Sequence, residues 1–338
     1  LIMAVGGALR LVNLGSAEFH GDDARAVLRA AGIIQGYEEV LMLHKKGPGE
    51  ILMPALQLAL GERIDETTAR LPFALASIVG LLAIFALGTR LMGVVAGFTA
   101  AFLLAFDGYL LAFARFVQYQ SVVFLLTTMA ILLLYSAYRH PQLLPKALFL
   151  ASLFFATALL FHYDAAAALI PLAFLWVMIG LHNKVSWARL LRLTALPAIF
   201  GLVCLALFYV PYILHPHFQA ALSYLVGSRV GPTGFPHNNI QNVFLRTSLY
   251  SSFYYVAVML ALLAIAAYLA WRRGWNATVA AVVTGIVALL LLLIVLPERG
   301  EHEETSYFFG LIWNLGEYAR MSAIMFWLFS LWHLVIAM

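Results

Sequence analysis

A single cysteine, Cys204, stands in a chain of 338 residues, and it lies within an apolar run. No intrachain disulfide can form, which excludes a cystine-stapled secreted module. Charge is equally scarce: Asp, Glu, Lys and Arg make up 11% of the residues, against about 25% in a typical soluble domain. No internal repeat, low-complexity tract or cleavable signal sequence is visible. The chain opens on Leu1 inside an apolar segment, so both ends are read as trimmed. Apolar runs fill the gap, with hydrophobic residues at 64%. Runs such as "LPFALASIVGLLAIFALG" and "TVAAVVTGIVALLLLLIVL" approach the roughly 20 residues that a helix needs to cross hydrocarbon. The fold expected is an all-α polytopic membrane protein. The net charge of +4 is spread over short loops, which argues for membrane orientation and against a nucleic-acid partner.

Apolar runs bounded by charge predict roughly ten spans. They fall at residues 1–13, 70–89, 94–112, 120–138, 146–161, 165–182, 193–213, 247–271, 276–296 and 307–337. Loops on one side carry Arg90, Arg139, Lys146, Lys184, Arg189, Arg192, Arg272 and Arg273, with no Asp or Glu among them. The other side holds Asp22, Asp23, Glu38, Glu39, Glu50, Glu62, Asp65, Glu66, Asp164, Glu298, Glu301, Glu303 and Glu304. Short Lys- and Arg-rich loops stay cytoplasmic, so the acidic side is expected to face outward from the plasma membrane. We read residues 1–338 as a single integral domain, with outer loops at 14–69 and 214–246.

Within the first loop, Ala24, Val27, Leu28, Ala31 and Ile34 follow helical spacing from Asp22, predicting a short interfacial helix over 22–34. "GEILMPALQLAL" predicts a second helix too short to cross. Asp22 and Asp23 open the first of these. They have two readings: helix caps, or a general base at the level where a lipid-linked substrate presents its headgroup.

The order of "GDDAR", "HKKGPGEILMPAL" and "ARLPFALASIVGLLAIFALGTRLMG", followed by "FARFVQYQSVVFLL" and "ALLFHYDAAAALIPL", resembles one known family. These are the polyprenyl-phosphate-dependent glycosyltransferases of the GT-C fold, in the protein O-mannosyltransferase and aminoarabinose-transferase branch. The resemblance covers about the first half of the chain; "ARLP…GTRLMG" is its most distinctive piece and belongs to scaffold. It implies a GT-C-like bundle in which an outer acidic pair, usually Asp-Glu, contains the base. Asp22 takes the first place and Asp23 the second, where the shorter side chain departs from the pattern. It further implies a lysine near the donor phosphate, matched by Lys45 and Lys46. Here "KKGP" interposes Gly47 and has Pro48 alone where the family often has two prolines.

The implied reaction is inverting transfer of a sugar from a polyprenyl-phosphate donor to a protein, lipid or glycan acceptor outside the cytoplasm. Asp164 is a further catalytic candidate, with helix capping as its other reading. Arg115, Gln118, His162 and Tyr163 are candidates for the donor's phosphate or sugar, and Arg115 also stands as a partner for Asp107. No obligatory cofactor or metal is expected: neither His20 with Asp22 and Asp23 nor "EHEE" has a defined ligand spacing, and a divalent cation is an optional addition. Two alternatives remain open at this level. One is a lipid-linked sugar flippase or transporter, for which Glu317 beside Arg320 would be the evidence. The other is a non-catalytic scaffold subunit of a membrane complex.

Overall fold

The computed structural model describes residues 2–225 apart from 38 and 62, together with 267–268 and 271–274. The spans expected at 247–271, 276–296 and 307–337 fall wholly or largely outside the described residues, as do Glu317 and "EHEE". Packing divides the chain into two compact units, Leu1–Leu222 and Ser223–Met338. All that follows concerns the first.

Among the described residues every regular element is helical. In chain order they are α1 (Ile2–Leu11), α2 (Asp22–Ile34), α3 (Glu39–Met42), α4 (Gly49–Ala59), α5 (Glu66–Met92) and α6 (Val94–Phe106). Then come α7 (Gly108–Ala114), α8 (Gln120–Arg139), α9 (Leu144–Phe161), α10 (Leu169–His182), α11 (Trp187–Leu214) and α12 (Phe218–Leu225). Among the described residues, five helical stretches are long and apolar enough to cross a membrane: α5, α8, α9 with the turn before it, α10 with the turn before it, and α11. This is a polytopic helical membrane protein. Along α11, Leu196, Ile199, Leu202, Val203, Leu207, Val210 and Leu214 are all exposed, as suits a lipid-facing helix.

The structure corrects two sequence expectations. The second span begins at Glu66 rather than residue 70, because Asp65 and Thr68 form a reciprocal capping box. Arg70 therefore lies inside α5, buried, and does not mark a membrane edge. The third span, expected unbroken over 94–112, is two helices. α6 stops at Asp107, whose Oδ1 accepts from the Leu110 amide at 2.7 Å and caps α7. The carbonyls that this break releases, Leu104 and Ala105, accept from the buried Arg10 of α1, which also donates to Ser77 Oγ of α5. A guanidinium inside the bundle thereby has its donors met by carbonyls and a hydroxyl.

α2 covers the residues expected of it, 22–34. Its ends agree with the periodicity, but its buried face is Asp23, Ala26 and Ala30, whereas Leu28 and Ile34 are exposed. Small side chains let α2 approach α4, where Ala30 packs on Ile51 and Ala55. The larger apolar groups are left outward, alongside exposed Leu52, Leu56 and Leu60 of α4. An amphipathic pair lying at a lipid interface has such a face.

The bundle has two distinct ends. At one, Arg90 donates to Ser136, Tyr135 donates to the Arg90 carbonyl, and Asn183 donates to the Tyr138 carbonyl. At the other, the starts of α5 and α8 meet the end of α9 and carry α2 and α4 on them. Asp22, Asp23 and Glu50 gather there.

Candidate active site

α2 starts from Gly21, whose φ of 57° lies in the left-handed region that glycine adopts without strain. No side chain caps this helix. The reading of Asp22 as a hydrogen-bonding cap therefore fails; both acids stand in the first turn, where they complement the helix dipole, and both carboxylates reach to other elements.

Asp23 is enclosed. Its Oδ2 accepts from Arg70 Nε at 3.1 Å and Nη2 at 2.5 Å, and its Oδ1 accepts from the Val117 amide at 2.7 Å. Arg70 spends its remaining donors on the carbonyls of Leu14, Ala17 and Glu18. Phe19 and Phe116 lie against the guanidinium, with ring centroids 5.3 and 5.6 Å away. One planar fork thus joins the first loop, α2, α5 and the turn before α8.

Asp22 is the opposite case, with its side chain 42% exposed. It accepts from Lys46 Nζ at 3.1 Å, Arg25 Nη1 at 3.3 Å and Gln118 Nε2 at 3.3 Å. Burial alone would raise its carboxyl; Lys46 and Arg25 outweigh that and leave it below the ordinary range. Asp22 is therefore an ionised, solvent-reachable carboxylate at neutral pH.

Lys46 sits between two acids. Beyond Asp22, its ammonium lies 3.3 and 3.5 Å from the oxygens of Glu50, and 5.3 Å above the Tyr119 ring. Glu50, in the first turn of α4, is buried, and that burial pushes its carboxyl up to about 7 despite Lys46. Gly47 shows why the segment reads "KKGP". A Cβ there would stand 2.1 Å from the Leu160 carbonyl oxygen, so the backbone carrying Lys46 packs directly on α9. Gly47→Ala is accordingly expected to cost about 1–3 kcal/mol and to displace Lys46. Thermal unfolding in detergent, together with donor affinity, checks this.

Around this centre stand aromatic and imidazole groups. Tyr119 stacks on His162 with centroids 3.6 Å apart and planes 7° from parallel, and its hydroxyl donates to Asp164 Oδ2 at 3.1 Å. His162 Nδ1 accepts from the Asp164 amide and so begins the 3₁₀ turn Tyr163–Ala168, and Tyr163 lies beside its ring. Arg29 Nη1 donates to His44 Nδ1 at 2.6 Å, which puts the ring proton on Nε2. Burial first, then Arg29 and Lys46, drive His44 down to about 3 and keep it neutral.

Of the residues singled out from sequence, Asp22, Lys46 and Gln118 meet directly, and Asp164, His162 and Tyr163 cluster beside them through Tyr119. Lys45 is exposed. Arg115 is turned elsewhere: its guanidinium donates to the carbonyls of Leu9, Val12 and Asn13, pinning the end of α1. His215 and His217 stack on each other after α11. Sequence reasoning passed over Glu50, His44 and the role of Arg70. For Glu50 a signal existed, since it follows Lys46 by four residues at a helix start. Among the described residues, no group of three or more His, Cys, Asp or Glu side chains is arranged to hold a metal ion.

Apolar helices that gather an ionised carboxylate, an ammonium and stacked aromatics at one end define a class: a membrane protein with a polar reaction site at its helix termini. Residues 45–213, half of the chain, match the dolichyl-phosphate-mannose-protein mannosyltransferase family. The chain belongs to that family, and is a membrane glycosyltransferase of the GT-C type using a lipid-linked sugar donor. No match was found among curated proteins or among solved structures.

Proposed function

We propose that this protein transfers a sugar from a polyprenyl-phosphate donor to a hydroxyl-bearing acceptor outside the cytoplasm, with inversion, and that Asp22 is the general base. The observation carrying this reading is the contrast between the two acids: Asp23 has every oxygen committed inside the bundle, whereas Asp22 is ionised, half-exposed and beside Lys46.

Asp22 takes the acceptor's hydroxyl proton as that oxygen bonds to the anomeric carbon. The bond from that carbon to the phosphate oxygen breaks, its electron pair leaving on the lipid phosphate. A single displacement inverts the anomeric centre. Protonation of Asp22 removes one of the two carboxylate charges beside Lys46, which leaves more of the ammonium's charge for the departing phosphate as its negative charge grows. Arg25, on the outer turn of α2, adds positive charge nearby. Asp23 and Arg70 position rather than react. Tyr163, partly buried at the edge of the enclosed Tyr119 and His162 stack, offers an aromatic face suited to a sugar ring. The outward orientation rests on Arg90, Arg139, Lys146 and Lys184, which lie near the helix ends remote from Asp22.

The test is transfer by the purified protein in vesicles, offered a panel of polyprenyl-phosphate hexoses, pentoses and aminopentoses with peptide, lipid and glycan acceptors. Product of inverted anomeric configuration from at least one donor is expected. Failure with every donor, by protein that inserts and folds, would overturn the reading.

A further inference from the structure

We propose that Glu50 controls the strength of the Asp22 base by competing with it for Lys46. This inference rests on the assignment of Asp22 as base.

One ammonium stands between two carboxyl groups, 3.1 Å from Asp22 and 3.3 Å from Glu50. The two acids differ in setting. Asp22 meets solvent, whereas Glu50 is 1% exposed at the start of α4, walled by the packing of Gly49 on the Phe161 ring. The other charged or titratable groups facing this pair have fixed states or fixed partners. Arg25 and Arg29 of α2 are cations, the latter bonded to His44, which is neutral. Arg70 of α5 is spent on Asp23. Beyond α9, His162 accepts from a backbone amide and Asp164 accepts from Tyr119. Glu50 is the carboxyl of this cluster that burial brings to about 7, and His162 Nδ1 stands apart from it, 3.2 Å from Asp164 Oδ2.

Its two states act differently on Asp22. With Glu50 protonated, Lys46 has one carboxylate to neutralise, and Asp22 is held as a weak base. With Glu50 ionised, Lys46 is shared and a second negative charge stands beside Asp22, so Asp22 binds a proton more tightly and removes one from the acceptor more readily. Glu50 touches no substrate in this scheme; it is a positioning residue acting through Lys46, and it neither gains nor loses a proton during a turnover. The sign follows: activity rises as pH rises through the Glu50 ionisation at about 7. That step is separate from any due to Asp22, whose own ionisation lies below the ordinary carboxylate range.

The experiment is the pH dependence of kcat for the wild type, Glu50→Gln and Glu50→Asp, alongside infrared titration of protonated carboxyl groups in the same samples. The wild type should show a limb rising through about pH 7 and a protonated-carboxyl band lost over the same range. Glu50→Gln should lack both, with kcat about 10-fold lower on the alkaline side and donor KM little changed. Glu50→Asp should restore a limb, displaced in pH. A limb that persists unchanged in Glu50→Gln, or a wild type with no limb near neutrality, would overturn the proposal. Should Asp22→Asn retain full transfer, the assignment of the base falls, and this control with it. If Asp22→Asn is dead while Glu50→Gln keeps the wild-type profile, the control alone falls.

Discussion

Asp22→Asn is expected to lower kcat for sugar transfer by about 10²–10⁴, the usual contribution of a positioned general base. The amide keeps the shape of the carboxylate and can still meet Gln118, but it accepts no proton. The fold should survive. Asp22 is 42% exposed, its pair with Arg25 lies at the surface, where ion pairs contribute about 0–1 kcal/mol, and the part-buried Lys46 keeps Glu50 as a partner. The melting temperature in detergent should therefore stay close to the wild type while turnover collapses. Asp22→Glu should retain part of the activity, since it keeps the charge but misplaces it by one methylene. Undiminished turnover in Asp22→Asn would move the base elsewhere, first to Asp164, which already accepts from Tyr119.

Arg70→Leu should do the reverse, acting on stability before chemistry. Removing one member of a buried ion pair costs about 3–5 kcal/mol, because the remaining charge is left without a partner. Here the loss extends further: the carbonyls of Leu14, Ala17 and Glu18 lose their donor along with Asp23. We expect a large drop in melting temperature in detergent and early proteolysis within residues 14–21. The double variant Asp23→Leu with Arg70→Leu should be less destabilised than the sum of its single changes, since it strands no charge. A melting temperature in Arg70→Leu equal to the wild type would show that Asp23 is neutralised by some other route. Residual transfer per folded molecule in Arg70→Leu, set against none in Asp22→Asn, would separate the clamp from the base.

These contrasting outcomes come from neighbouring residues, and that contrast was beyond the sequence. Asp22 and Asp23 are adjacent acids at a helix start, where a cap or a base reads equally well. Successive residues on a helix point about 100° apart, so one turns into the bundle toward Arg70 and the other toward Lys46 and solvent. Only the packing of α2 on α4 and α5 says which is which. Arg115 is the converse: it stood beside amides and aromatics in "RFVQYQS", yet the end of α1, about a hundred residues earlier in the chain, takes its guanidinium.

By itself the sequence determined the membrane class, the places of the described spans to within a few residues, the short helices of the first loop and the sorting of charge to two ends. Each depends on a local property: apolar length, periodicity, or the sign of nearby loops. Tertiary structure decided the break at Asp107, the buried face of α2, the enclosure of Asp23 by Arg70, and the sharing of Lys46 between Asp22 and Glu50. All four depend on side chains brought together from distant positions, or on which face of a helix finds a neighbour. Burial, which turns a common glutamate into an acid titrating near neutrality, is a property of that neighbourhood and not of the residue.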